Sequence, residues 1–138
     1  MSSDKKFELQ VKFKNNMLKF IDELIDLCPD RGEFFMVKVF VRDNVPLPEI
    51  IERFADIVLP YTSQIKEKNQ DFFLTTTALY DSMTGFEYMR ENDNGKMLIE
   101  STRKLWSEKF DEDDKNACWK WLNLFVILAK KYKDNYMN

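Results

Sequence analysis

The last third of the chain repeats apolar residues at the spacing of one helix face. The stripe consists of Cys118, Trp121, Phe125, Leu128, Tyr132 and Tyr136, widened by Leu122 and Ala129. Because an α-helix completes a turn in 3.6 residues, side chains three and four positions apart share one side of it. The spacing predicts a long amphipathic helix, and its apolar face requires other helices to pack against.

Few residues that break helices occur along the chain. Among 138 residues there are 3 glycines and 4 prolines, and 44% of the residues are hydrophobic. Turn residues cluster in "CPDRGE" at 28–33, "DNVPLPE" at 43–49, Pro60, "NDNG" at 92–95 and "FDEDD" at 110–114. These clusters divide the chain into segments of helical length. We predict an all-α fold, a compact single-domain bundle of about five to seven helices over residues 1–138.

Two segments also fit β-strands. "FELQVKFK" at 7–14 alternates apolar and polar residues, and "FFMVKVFVR" at 34–42 is rich in β-branched and aromatic residues. Over residues 7–28, however, a helical projection gives one continuous polar arc, with only Gln10 and Lys14 on the apolar side. Helix is favoured, with minor strands near residues 7–14 and 34–42 as the alternative.

Residues 47–61 carry ordinary helix signals. Pro48 suits the first turn of a helix, Glu49 favours its positive end, and Pro60 ends or kinks it. Asp71 is a candidate N-cap for the next segment. The following stretch Thr75–Phe86 concentrates hydroxyl groups, and no mechanism can be assigned to it.

The acidic residues before the final helix predict a helix start. Asp111 is the expected cap, with Asp114 three positions later as in a capping box. A calcium loop of the EF-hand type does not fit, because counting from Asp111 places Asn116 and Leu122 where glycine and glutamate are required. We expect neither a metal nor a cofactor.

Catalysis has little support in this sequence. With 0 histidines, the chain lacks the side chain that most often transfers protons near neutral pH. It contains no cysteine cluster with zinc-ligand spacing, no phosphate-binding glycine loop and no dinucleotide fingerprint. We predict that the chain is not an enzyme.

The cysteines and the hydropathy favour an intracellular protein that does not bind membranes. Cys28 and Cys118 lie far apart within apolar patterns, as buried thiols do in a reducing compartment. No apolar run approaches the roughly 20 residues needed to cross a bilayer, and the start lacks the apolar stretch of a secretory signal.

Two surfaces are candidates for partners. On the final helix Trp119, Val126 and Ile127 extend the apolar face beyond one core contact, which predicts binding of a protein partner or self-association. The alternative is nucleic acid, bound by lysines that form one basic surface if the termini lie together: Lys5, Lys6, Lys12, Lys14, Lys19, Lys130, Lys131 and Lys133. The net charge of −3 disfavours this alternative.

Three segments resemble a group of small uncharacterised helical proteins encoded by large nucleocytoplasmic DNA viruses. They are "MLKFIDELIDLCPD", "PEIIERFADIVLPYTSQIKEKNQDFFL" and "WSEKFDEDDKNACWKWLNLFVILAKKY". The resemblance implies a helical fold and expression in an infected cell, and it carries over no functional residue. The expected function is a non-catalytic interaction or assembly module, as a viral accessory or virion protein. The alternative is nucleic-acid binding in viral genome packaging or transcription.

Overall fold

The computed structural model describes residues 2–75 and 94–137, and within these ranges every regular element is a helix. The elements are α1 (Ser2–Leu27), α2 (Gly32–Asn44), α3 (Leu47–Val58), a 3-10 helix (Leu59–Tyr61), α4 (Thr62–Lys66), α5 (Gln70–Thr75), α6 (Asn94–Glu108) and α7 (Glu112–Tyr136). The predicted all-α class is confirmed for these residues.

The strand alternative is wrong for both segments that left it open, because residues 7–14 lie in α1 and residues 34–42 in α2. A half-buried strand at 7–14 would bury every second side chain. Instead Leu9, Gln10 and Phe13 are buried while Phe7 is exposed, which is the spacing of a helix face. The alternation of "FELQVKFK" therefore does not reflect its burial.

The chain divides into two compact units. The first contains residues up to 59 together with those from 124 onward, and the second contains residues 60–123. The helix α7 thus contributes its first half to the second unit and its second half to the first. That one domain spans residues 1–138 stays a prediction.

An aromatic cluster joins α1, α3 and α7 in the core of the first unit. The ring of Phe13 lies 5.2 Å from that of Phe54 and 5.4 Å from that of Phe125, centroid to centroid. Phe54 and Phe125 are also in contact, at 5.8 Å. Aromatic pairs in edge-to-face geometry, as Phe54 forms with Phe13 and Phe125, add about 0.5–1.5 kcal/mol each beyond the burial of their area. The predicted apolar stripe of the final helix therefore serves as core at Phe125.

Two lysines hold α2 against α1. Lys38 Nζ lies 2.7 Å from Asp22 Oδ1, and Lys14 Nζ donates a hydrogen bond of 3.0 Å to the carbonyl oxygen of Arg42. The carbonyls in the last turn of a helix have no partner within the helix, so a lysine placed there satisfies one of them. This contact explains why Lys14 lies outside the polar arc of α1.

The second unit is organised around two tryptophans. Trp106 of α6 and Trp119 of α7 pack edge to face with centroids 5.3 Å apart, and Phe73 of α5 lies 6.0 Å from Trp119. The indole Nε1 of Trp106 donates to Gln70 Oε1 at 2.9 Å, so its polar atom is satisfied. These contacts connect α5, α6 and α7.

The predicted helix boundaries are mostly confirmed. Pro48 and Glu49 lie in the first turn of α3, and the 3-10 helix that contains Pro60 follows its end. Asp111 and Asp114 form a reciprocal box: the amide of Asp114 donates to Asp111 Oδ1 at 2.8 Å, and the amide of Asp111 donates to Asp114 Oδ2 at 3.2 Å.

The prediction that Asp71 caps the following helix is wrong. The cap is Asn69, whose Oδ1 accepts a hydrogen bond of 3.1 Å from the amide of Phe72, and α5 begins at Gln70. Asparagine caps a helix about as well as aspartate does. Because Asn69 precedes Asp71 by two residues, the helix has already begun when the chain reaches the carboxylate.

Candidate functional site

Large apolar side chains are exposed where α1 passes into α2. Leu27 at the end of α1 is 40% exposed, and Phe35 and Met36 near the start of α2 are 55% and 52% exposed. We call these three residues the hairpin patch. A short connection joins the two helices, so the patch lies at one end of the helical hairpin that they form.

Helix geometry explains why these side chains point outward. Phe34 is buried, at 4% exposure, and each further residue turns the side chain by about 100° around the helix axis. Phe35 and Met36 therefore leave the buried side, while the ion pair of Lys38 with Asp22 holds α2 against α1. Nearly every position from 34 to 41 is apolar, so one packed face cannot bury all of them.

The structure corrects the predicted partner surface on α7. Trp119 and Val126 are only 5% and 4% exposed, whereas Ile127 is 64% exposed. Trp119 is covered by Trp106 and Phe73 within the second unit. Of these three side chains, Ile127 alone is exposed to a partner. The prediction failed for the other two because the width of an apolar helix face does not indicate how many neighbouring helices cover it.

The lysines proposed for nucleic acid divide into two groups. Lys6 and Lys14 are partly buried, Lys6 with its ammonium 6.0 Å from the centre of the Tyr132 ring and Lys14 on the carbonyl of Arg42. The others are exposed on α1 and near the end of α7: Lys5, Lys12, Lys19, Lys130, Lys131 and Lys133.

The first turns of α1 and the last turns of α7 lie together, as a joint basic surface requires. Tyr132 of α7 contacts Lys6 and Gln10 of α1, which fixes the two segments side by side within the first unit. Carboxylates at Asp4, Glu8 and Asp134 lie among the exposed lysines in sequence. The surface is therefore basic but interrupted by negative charge.

A buried polar network connects α1, α3 and α7 at the same end of the first unit. The phenol of Tyr132 donates to Glu52 Oε2 at 2.6 Å and accepts a hydrogen bond of 2.8 Å from Gln10 Nε2. Tyr132 is 0% exposed and Gln10 is 6% exposed. This network explains the second residue that departs from the polar arc of α1, since Gln10 is buried with a partner.

The environment of Tyr132 keeps its phenol protonated. Burial, and then the hydrogen bond to the Glu52 carboxylate, raise the pKa of Tyr132 to about 12, although the hydrogen bond from Gln10 opposes them. A phenol with this pKa neither attacks as a phenolate nor accepts a proton near neutral pH. Its chemistry suits a fixed connection between three helices.

Several further observations bear on function. Among the residues that the structure describes, no group of three or more histidine, cysteine, aspartate or glutamate side chains is arranged to hold a metal ion. Cys28 and Cys118 are both buried. The segment Thr75–Phe86 lies, apart from Thr75, outside the described residues. In residues 2–75 and 94–137, no helix combines the length and the apolar character needed to cross a membrane.

Comparisons of this chain with protein-family models, with curated proteins and with solved structures found no match. A functional proposal therefore rests on its own residues. The feature that sequence reasoning missed is the hairpin patch. Its signal was present in "FFMVKVFVR", which is apolar on every side of the helix that it forms.

Proposed function

We propose that this chain is a non-catalytic protein-protein interaction or assembly module and that the hairpin patch is its contact surface. The observation that carries the proposal is the exposure of Phe35 and Met36, two large apolar side chains that are each more than half exposed and adjacent on one helix.

Covering these side chains is favourable. Fully burying a phenylalanine or methionine side chain stabilises by about 1.5–3 kcal/mol relative to leaving it in water. Phenylalanine and methionine are also enriched in the cores of protein interfaces relative to the rest of the surface. Leu27, at the end of the preceding helix, adds a third exposed apolar side chain at this end of the hairpin.

The protonated phenol of Tyr132 supports the non-catalytic part of the proposal. Its two hydrogen bonds go to Gln10 and Glu52, so the buried polar network connects helices and presents no activated group. The sequence offers no histidine to take the role of a general base.

A photo-crosslinking amino acid at position 35 tests the contact surface. In the full chain we replace Phe35 with benzoyl-phenylalanine and irradiate it both as purified protein and in a cell extract. We expect a discrete adduct that weakens when Met36→Lys is added. The matched control carries the same amino acid at Lys104, an exposed position on α6. Position 35 giving no more adduct than position 104 in either sample contradicts the proposal.

Nucleic-acid binding is the second candidate, supported by the joint position of exposed lysines in the first turns of α1 and the last turns of α7. It predicts binding to duplex or single strands that weakens steeply as salt rises, since phosphate contacts release counterions. We expect Lys130→Glu with Lys131→Glu to abolish that binding, with Lys104→Glu as the control. No binding even at low salt excludes this candidate.

The setting that we propose is intracellular, as an accessory or virion protein of a large nucleocytoplasmic DNA virus. Its support is the resemblance carried by the three quoted segments. Mass spectrometry of purified virions and of infected-cell fractions tests it, and absence of the chain from both contradicts it.

A further inference from the structure

The two ends of the first unit carry opposite charge. At the hairpin end, residues 22–33 carry five carboxylates and one cation, Arg31, and Lys38 binds Asp22. The charges of these named residues sum to −3. We call this the acidic end. Its carboxylates are Asp22, Glu23, Asp26, Asp30 and Glu33.

The opposite end is basic. Residues 4–14 of α1 and 130–134 of α7 contain seven lysines. Four carboxylates lie with them: Asp4, Glu8, Asp134 and Glu52, the last of which accepts a hydrogen bond from Tyr132. The charges of these named residues sum to +3. We call this the basic end. Its lysines are Lys5, Lys6, Lys12, Lys14, Lys130, Lys131 and Lys133.

Each end also exposes apolar side chains. The hairpin patch lies at the acidic end, and Phe7, which is 57% exposed, lies at the basic end. Phe7 and Leu27 belong to the same continuous helix and are separated by about 30 Å along its axis, at 1.5 Å per residue. A continuous helix cannot bring its own two ends together, so the two surfaces can only meet between different molecules.

We propose that the acidic end of one molecule binds the basic end of a second copy, head to tail. This inference rests on the proposed function, because it names the partner of the hairpin patch. Opposite net charges attract the two different ends, and like charges disfavour pairing of two identical ends. The apolar side chains then lose their exposure to water in the contact.

A head-to-tail contact uses two different surfaces of the same chain. It leaves one unused surface at each end of every oligomer, so further copies add until a ring closes or a filament grows. The expected behaviour of the purified chain is a mean mass that rises with concentration beyond that of a dimer.

Two blocked variants of the full chain test this arrangement. The head-blocked variant carries Asp26→Lys and Met36→Lys at the acidic end. The tail-blocked variant carries Lys5→Glu and Phe7→Glu at the basic end. All four positions are exposed, and none belongs to the network of Tyr132. Each variant alone is expected to weaken self-association by at least about 30-fold, the loss that follows removal of an interface hot spot.

The mixture of the two variants gives the discriminating result. Each variant retains one intact end, and the two intact ends are complementary, so an equimolar mixture should form a dimer with one copy of each and stop there. Light scattering coupled to size separation measures this mass. The matched control, Lys104→Glu with Glu108→Lys on α6, also places two new charged side chains at exposed positions and should assemble as the unmodified chain does.

Other outcomes overturn the proposal. The first is an unmodified chain that stays monomeric at every protein and salt concentration. The second is a blocked variant that assembles as the unmodified chain does. The third is an equimolar mixture that stays monomeric although circular dichroism shows that both variants are folded. The crosslink at position 35 separates this failure from that of the proposed function. An adduct with a different protein, from a chain that stays monomeric, retains the interaction module and rejects self-assembly. An adduct with the Phe7 region of a second copy supports both.

Discussion

At the scale of single residues, the two side chains that depart from the polar arc of α1 each bond a specific group on another helix. Gln10 bonds the phenol of Tyr132, and Lys14 bonds a carbonyl in the last turn of α2. A helical projection marks both as misplaced, because it records polarity and not partners. Which polar group lies opposite is a property of the packed helices, and the sequence of one helix does not contain it.

The first prediction concerns Tyr132→Phe. Removing the hydroxyl leaves the buried amide of Gln10 and the carboxylate of Glu52 each short of a partner, so we expect a loss of about 1–3 kcal/mol in the free energy of unfolding at pH 7. Urea denaturation measures it. Tyr136→Phe, on the ring that packs 5.4 Å away, is the matched control and should change stability little. Equal effects of the two variants contradict the role of the hydroxyl.

The same hydroxyl predicts a dependence of stability on alkaline pH. The pKa of Tyr132 is raised from 10.0 to about 12 in the folded chain, so the folded state holds the proton more tightly than the unfolded state. The stabilisation is complete below pH 10 and is lost as the pH rises from 10 to 12. The stability difference between the unmodified chain and Tyr132→Phe should therefore shrink across that window. A difference that stays constant to pH 12 contradicts this expectation.

Lys68 carries a third prediction at this scale. Its φ of 53° lies in the left-handed region, and it follows the end of α4, where the amide of Asn69 donates to the carbonyl of Gln64 and the amide of Lys68 to that of Ile65. This Schellman arrangement favours glycine. Lys68→Gly should raise the free energy of unfolding by about 0.5–1 kcal/mol.

The control for that prediction is Lys66→Gly, inside the last turn of α4, which should lower stability by about 1 kcal/mol because glycine is unfavourable within a helix. Thermal unfolding of both variants measures the pair of effects. A lower stability for Lys68→Gly than for the unmodified chain rejects the assignment.

At the scale of elements, the position of α7 follows from its three-four spacing, and its start follows from the acidic box that Asp111 and Asp114 form. Local chemistry decides such features, since each depends on residues within one or two turns. The exposed part of the helix was predicted less well. Trp119 is covered by Trp106 and Phe73, which belong to other helices, and Val126 is 4% exposed. A projection of α7 alone could not separate these two side chains from Ile127.

Adjacent substitutions on α7 test that distinction. Val126→Asp places a charge where the native side chain is 4% exposed, and we expect it to lower stability by more than about 3 kcal/mol or to unfold the chain. Ile127→Asp makes the same charge change at a side chain that is 64% exposed, and we expect a change within about 0.5 kcal/mol. Circular dichroism with urea titration compares the two. Similar losses in both variants contradict the observed burial.

At the scale of the whole molecule, the net charge of −3 conceals an opposition between two ends of the first unit. The sequence shows lysines near both termini, but only the contact of Tyr132 with Lys6 and Gln10 places them at one end. Helix class and helix boundaries were predictable because they depend on neighbouring residues. The hairpin patch and the charged ends depend on how helices pack, so they required the structure.

The last prediction follows from those ends and rests on the head-to-tail proposal. About three opposite charges on each end, at about 0.5 kcal/mol per exposed pair, contribute roughly 1.5 kcal/mol, or about tenfold in affinity. Raising sodium chloride from about 50 mM to 1 M shortens the screening length to about 3 Å and should remove most of this term, while the apolar contribution of Phe7 and the hairpin patch remains. Sedimentation velocity across that range should show self-association weakening by about tenfold without disappearing. An association that is unchanged or strengthened by the salt would instead indicate an apolar contact that pairs identical ends.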